Sequence, residues 1–130
     1  MPHKLIGFNT SFKLRIIISN SDHNSSSFLI VCQQLDNEFL ALAERYKIKA
    51  GSTLLLSMVK DTNYTISNIG DSVGLLLKQS GEMKKLTSDQ TPNREDEYKR
   101  IQESNGLITM KNGVARVDGS IAVSRAIGDI

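Results

Sequence analysis

At Gly51 the hydrophobic period of this chain changes. Upstream, Leu35, Phe39, Leu42, Ala43 and Tyr46 recur at spacings of four, three, one and three. That spacing predicts one face of a helix over residues 35–46, with Asp36, Glu38, Glu44 and Arg45 left for solvent. Downstream, Thr53-Leu54-Leu55-Leu56-Ser57-Met58-Val59 is an apolar run of strand length, and Tyr64-Thr65-Ile66-Ser67-Asn68-Ile69 alternates in polarity as a second strand. Asp61-Thr62-Asn63 supplies the turn between them, and Gly70-Asp71-Ser72 interrupts before a third run over residues 73–77. Gln79-Ser80-Gly81-Glu82 turns the chain again. Every connection is too short for a crossover helix, so the strands are expected to run as an antiparallel meander.

Past the meander, Pro92 suits the first position of a helix, because the N–H it lacks would be orphaned there. Residues 93–104 are strongly charged, with Tyr98 and Ile101 on one side and Glu95 four residues before Lys99 in the favourable order. Asn105-Gly106 ends such a helix, since both residues tolerate the left-handed conformation. Residues 107–110 and 114–117 flank Lys111-Asn112-Gly113, a hairpin signal. At the other end, the polar cluster Asn20-Ser21-Asp22-His23-Asn24-Ser25-Ser26-Ser27 reads as a loop, and Ile16-Ile17-Ile18 as an edge strand or part of an irregular N-terminus. The expected class is α+β, helices packed on antiparallel sheet.

Composition removes several functions. The chain has 130 residues, a formal net charge of +2 and 39% hydrophobic residues, a globular balance with no basic block or aromatic ladder for nucleic acid. Cys32 is the only cysteine, which excludes an intrachain disulfide framework and a Cys-rich zinc site. A cysteine-phosphatase nucleophile would want an Arg six positions on; Glu38 stands there and would repel phosphate, so Cys32 reads as a small buried hydrophobe. No apolar run has the length of a bilayer span. Lys4, Lys13 and Arg15 precede the first acid, a pattern shared with transit peptides, but no targeting motif stands out and the cytoplasm is the default location.

Two Gly-Asp pairs carry the candidate chemistry, Gly70-Asp71 and Gly128-Asp129. Each follows an apolar run, so each carboxylate would emerge at the end of a strand. Aspartate is a hard oxygen ligand for magnesium or manganese, and the glycine before it lets the backbone turn tightly. Two divalent ions held this way would acidify a shared water and clamp a phosphoryl group. A Gly-Asp after a strand is also an ordinary turn.

The order of short blocks resolves that ambiguity. Gly51-Ser52-Thr53, Asn68-Ile69-Gly70-Asp71-Ser72, the stretch Leu86-Thr87-Ser88-Asp89-Gln90-Thr91-Pro92 with Glu97 and Arg100-Ile101 behind it, Arg116-Val117 with Gly119, and Ile121-Ala122-Val123-Ser124-Arg125-Ala126-Ile127-Gly128-Asp129 follow one another over roughly residues 33–129. Together they resemble the metal-dependent protein serine/threonine phosphatases of the PP2C (PPM) family. The resemblance implies part of an αββα sandwich, antiparallel sheets flanked by helices, whose first and last strands are missing here. It implies residues 28–130 as a partial phosphatase domain and residues 1–27 as an unassigned segment. Magnesium or manganese would be the cofactor and phosphorylated proteins the substrates, hydrolysed directly by a metal-bridging water.

Carried over by position, the resemblance makes Asp129 a ligand of the catalytic metal pair and Asp71 a ligand of a further, weakly held metal. Gly51, Ser52, Thr53, Gly70, Gly119, Ser124, Arg125 and Gly128 become structural motif positions, with Ser124 and Arg125 placing the Asp129 strand. The departures are Val73 where the family has Arg or a similar residue, Gln90 in place of a His whose imidazole role is thereby lost, and Asn105-Gly106 for a double glycine. The family's Asp-Gly-His-Gly segment is absent, and a final Asp is expected beyond residue 130. Two carboxylates compensate half the charge of two divalent ions, so metal is expected to bind weakly. The expectation is a central fragment of a phosphatase, from an incomplete reading of the gene or a truncated transcript, inactive alone and with an apolar sheet face exposed. The alternative is a pseudophosphatase that binds partners without catalysis.

Overall fold

The computed structural model describes residues 16–18 and 25–128. Along the chain these form β1 (Ile16–Ile18), α1 (Ser25–Tyr46), β2 (Leu54–Lys60), β3 (Asn63–Ile69), β4 (Leu75–Leu77), β5 (Met83–Lys85), α2 (Glu95–Glu103), β6 (Ile108–Lys111) and β7 (Val114–Val117). The class is α+β, with small antiparallel sheets.

β3 is the centre of the larger sheet, whose order is β1-β3-β2. The β2–β3 hairpin turns at Asp61, which adopts φ 54°, and its register runs from Lys60 opposite Asn63 to Leu54 opposite Ile69. Residues 65–70 are all buried, on both faces of the strand. Cys32 of α1 lies against Ser67 on one face, while Asn68 on the other reaches Ser88 in the loop after β5. Cys32, Ile69 and Ile127 form the buried apolar cluster, with Phe39, Leu54 and Leu56 packed around it. Each buried isoleucine contributes about 1.5–3 kcal/mol by leaving water.

The expected meander is broken. β3 takes β1 as its second neighbour, and β4 pairs with β5 in a separate two-stranded sheet. The reason lies at the end of β3, where Gly70 turns with φ 95° and the main chain of residue 74 bonds to residues 86 and 87 instead of returning along β3. The short Ile16–Ile18 run is therefore an edge strand.

α1 is longer than its periodicity indicated, since Ser25–Ser27 begin the helix instead of closing a loop. Its buried line is Cys32, Asp36, Phe39 and Ala43, whereas Leu35, Leu42 and Tyr46 are exposed. The stripe is rotated by about one residue from the most apolar face because the sheet beneath offers Ser67 and the Gly128 amide as partners. The helix stops at Lys47 (φ 54°), where the Ile48 N–H returns to the Ala43 carbonyl.

α2 begins at Glu95, three residues later than Pro92 would place it. Pro92 is instead buried in the preceding turn, closed by the Arg94 N–H on the Thr91 carbonyl. Glu95, Asp96 and Glu97 crowd the first turn, where carboxylates favour the positive end of the helix dipole. At the other end Asn105 (φ 60°) and the Gly106 N–H on the Ile101 carbonyl provide the stop that Asn105-Gly106 announced. The β6–β7 hairpin also matches its sequence signal, with Asn112 and Gly113 both at positive φ.

Candidate functional site

The two segments that carry Gly70 and Gly128 both meet the residues that lead into β2. Ser52 and Ile127 exchange two main-chain hydrogen bonds, 3.0 and 2.8 Å, so the Gly51-Ser52-Thr53 block and the segment entering Gly128 form an antiparallel bridge. Thr53 also abuts the first Gly-Asp block: a β-carbon at Gly70 would collide with its side chain, and its Oγ1 lies 3.0 Å from Ser72 Oγ. Ser52 and Thr53 thus link the two turns just ahead of β2.

The second turn is held from α1. The Gly128 N–H donates to Asp36 Oδ1 at 2.8 Å, and Gly128 (φ 82°) sits so close to the Phe39 ring that a β-carbon there would overlap it. Asp36, expected on the solvent face, is half-buried for this reason. Asp129 lies outside the described residues. Asp71 is exposed at the mouth of the Gly70 turn.

The segment before Gly128 is held from α2, through a carboxylate. Glu97 is 1% exposed and accepts from Arg125 Nε at 3.0 Å and Arg125 Nη2 at 2.7 Å. Arg100 Nη2 reaches the other oxygen at 2.8 Å and also donates to the Ser124 carbonyl at 2.7 Å. Arg94 adds a longer bond of 3.3 Å while pairing with Asp96. Burial raises the Glu97 carboxyl, but the bonds from Arg125 and Arg100 outweigh it and hold the group below the usual glutamate value. Ser124 and Arg125 are thereby held against α2. Periodicity alone hid Glu97 in a charged run; the signal was its place four residues before buried Ile101, with arginines three residues to either side.

Gln90, which stands in place of the family's imidazole, is 3% exposed and bonded through both its side chain and its main chain. Its Oε1 accepts the Gly70 N–H at 2.7 Å, its Nε2 donates to the Asn68 carbonyl at 3.2 Å, its N–H donates to the Gly70 carbonyl at 3.0 Å, and its carbonyl accepts the Ser124 N–H at 2.8 Å. Gly119 (φ 71°) turns the chain after Asp118, whose carboxylate caps the Leu107 N–H. Cys32 is buried, and burial pushes its thiol up despite the contact with Ser67, as an inert core residue requires.

A divalent ion needs several hard oxygens converging on one point. No group of three or more His, Cys, Asp or Glu residues able to hold an ion occurs among the described residues. Those residues do not fit a two-metal centre, and no hydrolytic step is assigned to them.

The pattern described as "Protein phosphatase 2C" matches residues 7–130, and the chain belongs to that family as a partial domain. The match takes in most of the first 27 residues, where no motif was recognised. The chain is 40% identical over 94 residues to "Probable protein phosphatase 2C 2" of Arabidopsis thaliana, covering 72% of this chain and 24% of that protein. It is 37% identical over 95 residues to "Protein phosphatase 1L" of Bos taurus, covering 73% and 26%. The chain thus spans about a quarter of the length of these relatives. Among solved structures it superimposes on a sex determining protein of C. elegans with a TM-score of 0.71 and 27% identity, over 76% of this chain and 24% of the other. A phosphatase from Toxoplasma gondii shares the fold at a TM-score of 0.61 and 21% identity, over 83% and 47%.

Proposed function

We propose that this chain is the central part of a metal-dependent phosphatase domain acting on phosphoserine and phosphothreonine in proteins, and that its 130 residues alone do not release phosphate. The observation that carries the reading is the joining of the Gly-Ser-Thr block to the Ile-Gly-Asp block by the Ser52–Ile127 bridge, within a chain of this family. In this reading Asp129 serves the catalytic magnesium or manganese pair and Asp71 a further ion, and ligands from outside the chain complete the set. The αββα sandwich belongs to the same reading: Leu55 and Val59 of β2, the latter 75% exposed, would be covered by a second sheet in the whole domain.

The test is phosphate release from a phosphothreonine peptide with manganese, comparing residues 1–130 with the Asp129→Asn variant. Equal, background rates are expected; turnover that depends on Asp129 would refute the inactivity of the isolated chain. Sequencing the transcript through both ends of the reading frame tests the rest. Further acidic ligands on either side support the phosphatase. A message with none would leave a non-catalytic scaffold for phosphoproteins.

A further inference from the structure

We propose that Gln90 is the positioning residue that couples the Gly70-Asp71 turn to the segment entering Gly128. Its side-chain amide holds the first turn from both sides, accepting from the Gly70 N–H at 2.7 Å and donating to the Asn68 carbonyl at 3.2 Å. Its main chain holds both partners: the N–H donates to the Gly70 carbonyl and the carbonyl accepts the Ser124 N–H, at 3.0 and 2.8 Å. One residue, 3% exposed, therefore stands between the end of β3 and the irregular segment before Gly128, which Arg100 and Arg125 hold against α2.

The arrangement has a mechanical consequence. The side-chain amide and the Gln90 N–H both grip the Gly70 turn, pinning the Gln90 α-carbon from two sides, and the carbonyl that accepts from Ser124 extends from that same α-carbon. Losing the side-chain anchor leaves the Gln90 main chain freer to move, and that motion reaches the Gly70 and Ser124 bonds together. The neighbouring Asn68 reinforces the hub, donating from Nδ2 to the Gly70 and Ser88 carbonyls at 3.0 and 3.4 Å. An amide group carries no titratable proton, so the tie is indifferent to pH. If the two carboxylates are metal ligands, Gln90 sets the relation between them; that consequence, though not the coupling, rests on the function proposed above.

Amide hydrogen exchange on the 130-residue chain tests the coupling without any metal. In Gln90→Met, or in Gln90→Asn if the methionine variant fails to fold, exchange at Gly70 and at Ser124 is expected to quicken together by about tenfold, the effect of losing one buried hydrogen bond. The β2–β3 ladder amides should be unchanged. Gln90→Glu, measured at a pH low enough to keep that carboxyl protonated, keeps an oxygen for the Gly70 N–H and a donor for the Asn68 carbonyl, and should hold Gly70 near its original rate. Quickening confined to Gly70 would overturn the coupling, as would a uniform loss of protection throughout the sheet. The two claims fail separately: a transcript that carries no further acidic ligands counts against the metal reading alone, while the exchange result, read without metal, decides the role of Gln90.

Discussion

Asp36 and Gly128, ninety-two positions apart, meet in one hydrogen bond: Asp36 Oδ1 accepts the Gly128 N–H at 2.8 Å. The bond ties the second turn of α1's buried line to the last described residue of the chain. A glycine amide at a left-handed turn has no ladder partner of its own, so a carboxylate from the helix is its main satisfaction. Asp36→Ala is expected to cost about 1.5–3 kcal/mol, the range for a bond to a charged group. Asp36→Asn, which keeps an acceptor oxygen, should recover about half of that. Urea unfolding of the three proteins measures both, and equal stabilities would show that the bond contributes nothing.

Glu97 neutralises the centre of an arginine cluster, so its removal strands Arg125 in the interior. Glu97→Gln should destabilise by about 3–5 kcal/mol, as the loss of one partner from a buried pair does. The pH dependence has a definite sign. The folded carboxyl lies below its ordinary value, so its contribution is complete above about pH 4.3, the unfolded glutamate value, and is lost as pH falls through the folded value. A pH series of unfolding midpoints should show this acid-side slope in the original chain and a shallower one in Glu97→Gln.

Gly128 is required twice, by its φ of 82° and by the Phe39 ring against it. Gly128→Ala therefore carries a backbone cost of about 1–2 kcal/mol and a steric cost besides. Shrinking the neighbour removes only the second. In a Phe39→Leu background the cost of Gly128→Ala is expected to fall by about 1 kcal/mol, a non-additivity that marks the contact. Strict additivity in a double-mutant cycle would remove the ring as the reason for the glycine.

The elements that local chemistry controls could be read from residues alone. The β2–β3 and β6–β7 hairpins, the stop at Asn105-Gly106 and the two Gly-Asp turns depend on residues within a few positions, and their signals were all present. Misreadings arose where a distant partner overrode a local preference. Ser25–Ser27 favour a loop until the apolar residues behind them join α1; Pro92 favours a helix start until its ring finds a buried turn. Candidate site positions followed the same division. Gly70, Gly128, Ser124 and Arg125 were legible as motif positions, and Gln90 and Glu97 stood in the same order of blocks, but that Asp36, Gln90 and Glu97 hold the other four was not legible.

By itself, then, the order of blocks determined the family, the α+β class and the two turns on which any chemistry would rest. Tertiary structure decided which polar side chains leave solvent. Asp36 sits on the face that periodicity assigns to water, Gln90 where the family has an imidazole, and Glu97 in a helix crowded with charges of both signs. Each is drawn inward because a buried amide or guanidinium elsewhere in the chain would otherwise go unsatisfied. Such a demand has no sequence period. It exists only once β3, α1 and α2 are brought together, since the penalty for an unpaired buried group appears with the exclusion of water.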